Sequence, residues 1–143
     1  MIEKAEFADR TFIVIRNYFS SAADELAIAS DEIRTRLEDM SPTAFTCTIV
    51  NRARREARDA HITVHNKKGR HDIFGDINYT FEPHAPPNTS NGSIRVSADD
   101  YDLFLTAGDT FSQRDREGSK LSPEQVAEWL WNQYVERAGI EYE

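Results

Sequence analysis

The chain has 143 residues, the length of one ordinary domain, with 39% hydrophobic and 29% charged residues. This composition is too apolar for a disordered chain. A single cysteine excludes an internal disulfide and a cysteine-rich metal site. No apolar run approaches the ~20 residues that cross a bilayer. We therefore expect one compact, cytoplasmic α+β domain over residues 1–143.

The net charge of −8 is unevenly distributed along the chain. Residues 1–70 contain 12 Lys/Arg and 11 Asp/Glu, whereas residues 71–143 contain 5 and 14. Within 51–70 there are 7 basic and 2 acidic residues. The overall charge disfavours nucleic acid, but a local basic stretch can bind an anion because salt screens charges beyond ~8 Å. The same stretch could instead pair with the acidic half, within the fold or across a dimer.

Residues 9–30 predict an N-terminal helix. Phe12, Ile15 and Phe19 recur at i, i+3 and i+7, which is the period of a helix with one buried face. The β-branched run 11–15 also fits a short strand, so that alternative remains open for the first half.

Two more helices are predicted over residues 30–59. Ser30 is suited to cap the first of them, and Ser41-Pro42 to begin the second. The apolar spacing in the first is i, i+4 and i+7: Ile33, Leu37 and Met40. Residues 44–50, however, alternate between apolar and polar and are rich in β-branched residues, which is typical of a strand. We favour helix over 42–59 because the Ala/Arg-rich residues that follow continue the helical period.

A hairpin and an acidic C-terminal part complete the predicted elements. Residues 61–65 and 76–81 alternate as strands and flank a basic, glycine-containing turn. A proline-rich loop over 83–92 precedes the C-terminal part, 93–143. That part predicts a strand, a helix, and a last helix capped by Ser122: 93–97, 98–107 and 122–138.

A short helix, a turn, a basic helix and a hairpin thus follow one another over residues 30–82. The residues that carry this pattern are Ile33, Leu37 and Met40, the turn Ser41-Pro42-Thr43, then Phe45, Ile49 and Ala53, and the hairpin Ile62–Phe81. The order resembles the winged helix-turn-helix superfamily, which implies DNA binding. Glu38 and Asp39 depart from the family pattern, because a glycine is common there and two acids would lie near DNA.

The solvent-exposed side of helix 42–59 collects polar and basic residues. Asn can recognise adenine and Arg can recognise guanine in the major groove. The resemblance implies that the basic hairpin tip contacts phosphates, which orients the protein on DNA. The predicted nucleic-acid-binding residues are Thr48, Asn51, Arg54, Arg55, Arg58, Lys67, Lys68 and Arg70. The alternative is that these arginines are only solvated or paired with nearby acids.

No group of residues indicates catalysis, a metal ion or a cofactor. His61 and His65 would lie ~13 Å apart on one face of a strand, which is too far to share one ion. Cys47 has no base beside it and is expected to be a small core or interface residue. We therefore predict a protein that is not an enzyme.

The sequence predicts an α+β fold with N-terminal helices, a helix-turn-helix-like pair, a β-hairpin wing, a short strand and C-terminal helices. The predicted function is that of a nucleic-acid-binding regulatory protein that binds DNA as a dimer. The alternative is an acidic protein-binding module or inhibitor without catalysis. Such a protein would be of phage or plasmid type and could present a DNA-like array of carboxylates. Neither hypothesis involves a membrane.

Overall fold

The computed structural model describes residues 2–53, 58–67, 76–86, 90–99, 102–109 and 120–140. Within them lie helix α1 (Ile2–Ala29), six strands and helix α2 (Pro123–Arg137). The strands are β1 (Ile33–Ser41), β2 (Ala44–Asn51), β3 (Arg58–Asn66), β4 (Ile77–Thr80), β5 (Gly92–Ala98) and β6 (Leu103–Asp109). They form one antiparallel sheet in which each strand pairs with the next along the chain. The described part is therefore mostly β, with one helix at each end.

This architecture contradicts the predicted fold class. Residues 33–41 and 44–51 are strands, so the helix-turn-helix-like pair of N-terminal helices is wrong. The predicted helix over 98–107 is also wrong, because β6 occupies residues 103–109. In each case a cross-strand hydrogen-bond ladder satisfies the backbone groups that a helix would have paired internally.

Other predicted elements are confirmed. Strands β3 and β4 pair antiparallel and correspond to the hairpin, and β5 corresponds to the strand predicted at 93–97. The basic tip of the hairpin, 68–75, lies outside the described residues. The last helix begins as the sequence indicates. Ser122 accepts from the backbone N–H of Gln125, whose side chain accepts from the Ser122 N–H.

Both helices pack against the same face of the sheet, called here the helix face. The buried side chains of α1 recur every three or four residues: Ala8, Phe12, Ile15, Phe19, Ala23 and Leu26. Phe19 lies at the centre, with ring centroids 5.0 Å from Trp131 and 5.8 Å from Tyr134 on α2. It also lies 5.6 Å from Phe45 on β2. This aromatic cluster joins both helices to the sheet, because such rings bury large apolar areas in edge-to-face and stacked contacts.

Close packing also fixes one glycine on this face. Gly92 pairs with Tyr79 across β5 and β4, and a Cβ at position 92 would collide with the Tyr79 hydroxyl. Glycine therefore leaves the space that the tyrosine ring occupies.

Neither described helix is long and apolar enough to cross a membrane.

Candidate functional site

The opposite side of the sheet, called here the outer face, is lined mainly by polar side chains. Successive side chains of a strand point to opposite faces, and directly paired residues point to the same face. Since Phe45, Cys47 and Ile49 are in the core, the registers assign the alternate positions to the outer face. The outer-face residues of the first four strands include Arg34, Arg36, Glu38, Thr46, Thr48, Val50, His61, Thr63, His65, Asn78 and Thr80.

Part of the outer face is covered by residues 82–86, called here the cover segment. The Thr63 hydroxyl donates to the Glu82 carbonyl at 2.7 Å and accepts from the Ala85 N–H at 3.2 Å. The His84 N–H donates to the Thr46 hydroxyl at 3.0 Å. Thr46 and Thr63 are buried and also contact each other at 2.8 Å. These two threonines therefore hold an irregular segment in place by pairing its backbone groups.

His84 connects the cover segment to β1. Its backbone has φ 50°, in the left-handed region that few residues other than glycine adopt. In this conformation its Nε2 lies 3.0 Å from one carboxylate oxygen of Glu38, while the other oxygen lies 3.2 Å from Arg36. Glu38 is therefore held by groups on both sides.

Beyond the cover segment, the outer face forms an open groove of about 280 Å³. Its lining is basic, hydroxyl-bearing and partly apolar: Arg34, Thr35, Arg36, Glu38, Thr46, Thr48, Val50 and His84. Arg34 and Arg36 are exposed and project from the same side of β1, two residues apart. Arg36 pairs with Glu38, whereas Arg34 forms no ion pair with any described residue. Arg34 is thus the unpaired cation at this groove within the part of the chain that the structure describes.

The structure separates the predicted nucleic-acid-binding residues. Thr48 lines the groove, where its hydroxyl lies 3.0 Å from His61 Nδ1. Asn51 is buried on the helix face, and its Nδ2 donates to the carbonyl of Ala138 at the end of α2 at 2.8 Å. Its Oδ1 accepts from the Ala53 N–H at 3.0 Å, so both amide atoms have structural partners. The prediction that Asn51 shares one exposed helix surface with Thr48 is wrong, because both lie on strand β2 and face opposite sides.

The other predicted site residues are not brought together in the described part. Arg58 begins β3, opposite Asn51. Lys67 follows that strand at its other end, and its N–H donates to the Asp76 carbonyl at 2.7 Å. The remaining four lie outside the described residues: Arg54, Arg55, Lys68 and Arg70.

Sequence reasoning missed the two arginines of the groove. Residues 33–38 read Ile-Arg-Thr-Arg-Leu-Glu, an alternation that places both arginines on one side of a strand. This signal was present beside the helical spacing that we favoured. His84 carried no signal, because its position depends on the fold of the cover segment.

Cys47 lies in the core, as expected from the sequence. It is fully buried on the helix face, and burial raises the pKa of its thiol to about 11. The thiol is therefore protonated near neutral pH and has little nucleophilic character. Among the described residues, no three His, Cys, Asp or Glu side chains are placed to hold a metal ion.

Comparison with known proteins identifies the family. A model of the Y4lF protein domain matches residues 34–136, from β1 into α2. The chain belongs to the Y4lF domain family. It is 49% identical over 106 residues to a Sinorhizobium fredii (strain NBRC 101917 / NGR234) protein named "Uncharacterized protein y4kM". The alignment covers 74% of this chain and 88% of that protein. No solved structure matches this member of the Y4lF family. The matched region includes β2 to β6 and all of β1 after Ile33, and every residue that lines the groove lies within it.

Proposed function

We propose that this protein is a protein-binding module whose groove receives an acidic segment of a partner protein. The observation that carries the proposal is Arg34, an exposed guanidinium at the groove without an ion-pair partner among the described residues. A guanidinium binds a carboxylate through paired, charge-assisted hydrogen bonds. The groove therefore favours an anionic group over a neutral one.

The surroundings of Arg34 favour a peptide as the source of that carboxylate. Val50 lies directly across from Arg34 on β2 and provides apolar surface beside the charge. Thr48 provides a hydroxyl on the same strand, and Arg36 provides a second cation already paired with Glu38. A segment with mixed acidic and aliphatic side chains would use all of these groups, as protein interfaces combine apolar contact with a few directed polar ones.

Nucleic acid remains a competing prediction, but its original argument no longer applies. The recognition helix on which it depended is strand β2. Of the predicted contact residues, Thr48 lines the groove, and four others lie outside the described residues. The DNA-mimicking inhibitor depended on the acidic half, where segments such as 110–119 lie outside the described residues. Our proposal keeps one part of that hypothesis, namely that the partner is a protein.

The test measures fluorescence anisotropy with two labelled peptides, one alternating Glu and Val and the other alternating Lys and Val. We expect the wild type to bind the acidic peptide and not the basic one. Arg34→Glu should weaken this binding about tenfold or more, because a hydrogen bond to a charged group contributes roughly 1.5–3 kcal/mol. Arg52→Glu is the matched control, since Arg52 is exposed and does not line the groove.

Two results would overturn the proposal. One is equal loss of binding in the Arg34 and Arg52 variants, which would reflect net charge alone. The other is wild-type binding to labelled single-stranded or duplex DNA that is tighter than binding to the acidic peptide and is lost in Arg34→Glu. That result would assign the groove to nucleic acid.

A further inference from the structure

Strand β1 forms one edge of the sheet, and the edge of β1 that points away from β2 is unpaired within the described residues. It pairs with β2 on one side, and no other described strand lies beside it. All nine of its side chains are exposed or half-buried. A nine-residue edge strand of this kind presents backbone groups to which another strand can bind.

The hydrogen-bond pattern shows which residues present those groups. The Arg52 N–H donates to the Glu32 carbonyl at 2.9 Å, immediately before β1 begins. Hydrogen-bonded pairs alternate along an antiparallel ladder. Even-numbered residues of β1 therefore bond to β2, and the N–H and C=O groups of Thr35, Leu37 and Asp39 point to the free edge.

The charges along β1 are complementary to the same strand in antiparallel orientation. The first half carries Arg34 and Arg36, and the second half carries Glu38 and Asp39. An antiparallel second copy would therefore bring the basic half of each strand to the acidic half of the other. Opposite charges directly across a strand pair stabilise it, and like charges destabilise it.

One register satisfies both the charges and the backbone. Leu37 is the central residue of β1, so a two-fold axis at Leu37 pairs residues 35–39 of one copy with the same residues of the other, up to the bulge that follows Asp39. This register places Arg36 opposite Glu38 of the second copy, twice per dimer. A shift that moves the axis by one residue brings either Arg36 opposite Arg36 or Glu38 opposite Glu38. The register centred on Leu37 also directs the odd-numbered backbone groups at one another, as an antiparallel ladder requires.

An exposed apolar side chain lies at the end of this edge. Ile13 of α1 is 55% exposed and lines a surface pocket with Phe12, Arg16, Asp39, Ser41 and Pro42. In the register centred on Leu37, Ile33 of the second copy comes next to Ser41, at this pocket. The second copy would therefore cover an isoleucine that is otherwise in water. The bulge in β1 lies between Asp39 and Ser41, beyond the central pairs that carry the charges.

We propose that two copies of this chain pair antiparallel through β1 to form one continuous twelve-stranded sheet. The helices of both copies then lie on the same side, and the two grooves lie side by side on the outer face. This interface uses the edge of β1, so it does not depend on the ligand proposed for the groove. Because paired edge strands bury a small area, we expect a reversible dimer whose apparent mass rises with concentration.

The test is a charge exchange followed by sedimentation equilibrium. Arg36→Glu and Glu38→Arg each place two like-charged pairs in the dimer, so each alone should weaken self-association about tenfold or more. An equimolar mixture of the two variants restores both opposite-charge pairs and should dimerise like the wild type. The double variant Arg36→Glu/Glu38→Arg should also dimerise, and Arg52→Glu is the matched control that should not change the mass.

The mixture distinguishes a lost interface from a misfolded chain, because a misfolded variant would not recover on mixing. A wild type that remains monomeric at its highest soluble concentration overturns the proposal. A wild-type dimer that both single variants leave intact, or that their mixture fails to restore, also overturns it, because the copies then meet through another surface. The peptide assay with Arg34→Glu is independent of these results, so either proposal can fail alone.

Discussion

The two faces of the sheet are formed by the same strands and are stabilised in different ways. On the helix face, alternate residues such as Phe45, Ile49 and Val64 are fully buried under α1 and α2. On the outer face, buried Thr46 and Thr63 pair the backbone groups of the cover segment instead. The helix face is stabilised mainly by apolar area, which tolerates little loss of volume. The outer face relies on directed hydrogen bonds, and it leaves a groove open beside β1.

The largest effect is expected on the helix face. Phe19→Ala removes the ring that contacts both Trp131 and Phe45, and it should lower the free energy of unfolding by about 3–5 kcal/mol. Urea denaturation followed by tryptophan fluorescence measures the change. Ile28→Ala on the same helix is the control, because the Ile28 side chain is 84% exposed and should contribute far less. Equal effects of the two variants would contradict the assignment of this face as the main source of stability.

On the outer face, the hydroxyl of Thr63 should contribute more to the free energy of unfolding than the volume of the side chain indicates. Thr63→Val preserves the shape of a fully buried side chain but leaves the Ala85 N–H and the Thr46 hydroxyl without their Thr63 partner. We expect a loss of about 1–3 kcal/mol, the cost of unpaired buried polar groups. Thr63→Ser keeps the hydroxyl and should be closer to the wild type in the same denaturation experiment. If Thr63→Ser is the more destabilised variant, the methyl group and not the hydroxyl stabilises this face.

The helices could be predicted because their apolar residues follow one period over many turns. In α1, a series that begins at Ala8 and ends at Leu26 fits only a helix. Over residues 33–40 the apolar series is shorter and ambiguous. Ile33 and Leu37 are four residues apart, and a spacing of four is compatible with one face of a helix and with one face of a strand.

The helix-start signals were ambiguous for a related reason. Ser41 accepts from the Thr43 N–H at 3.1 Å, and Ser30 accepts from the Glu32 N–H at 3.2 Å, both within turns. Asp99 likewise accepts from the Asp102 N–H at 2.7 Å, between β5 and β6. A side-chain oxygen that pairs a nearby backbone N–H occurs both in turns and at helix N-termini. The turns at Ser30 and Ser41 were therefore mistaken for helix starts, and the turn at Asp99 lies within the first turn of the helix predicted over 98–107.

The candidate site was less predictable because it depends on contacts between distant parts of the chain. Asn51 bonds to Ala138, and His84 bonds to Glu38 and Thr46, across separations that no local pattern encodes. The β-branched alternation over 44–50 did indicate the correct strand, although we favoured the helix. Choosing the strand would have placed Thr48 and Asn51 on opposite faces and removed the recognition surface.

The smallest effect is expected at the contact between α1 and the end of β1. Arg16 donates to both carboxylate oxygens of Asp39, at 3.1 and 2.8 Å, with side chains that are 33% and 55% exposed. Solvent weakens such a pair, so a double-mutant cycle with Arg16→Ala and Asp39→Asn should give a coupling of about 0.2–1 kcal/mol at neutral pH. The hydrogen bond from Arg16 lowers the pKa of Asp39 from its ordinary value of 3.8.

A carboxyl group with a lowered folded-state pKa stabilises the fold above its unfolded-state pKa, and this contribution is lost as pH falls through the folded-state value. The coupling should therefore be complete at pH 7 and disappear in acid below pH 3.8. Added salt at pH 7 should also reduce it, because the pair is exposed. A coupling that persists in acid would mean that Arg16 and Asp39 interact through packing and not through charge. A coupling well above 1 kcal/mol at pH 7 would mean that this end of β1 is shielded from solvent, as the covering of Ile13 by a second copy would produce.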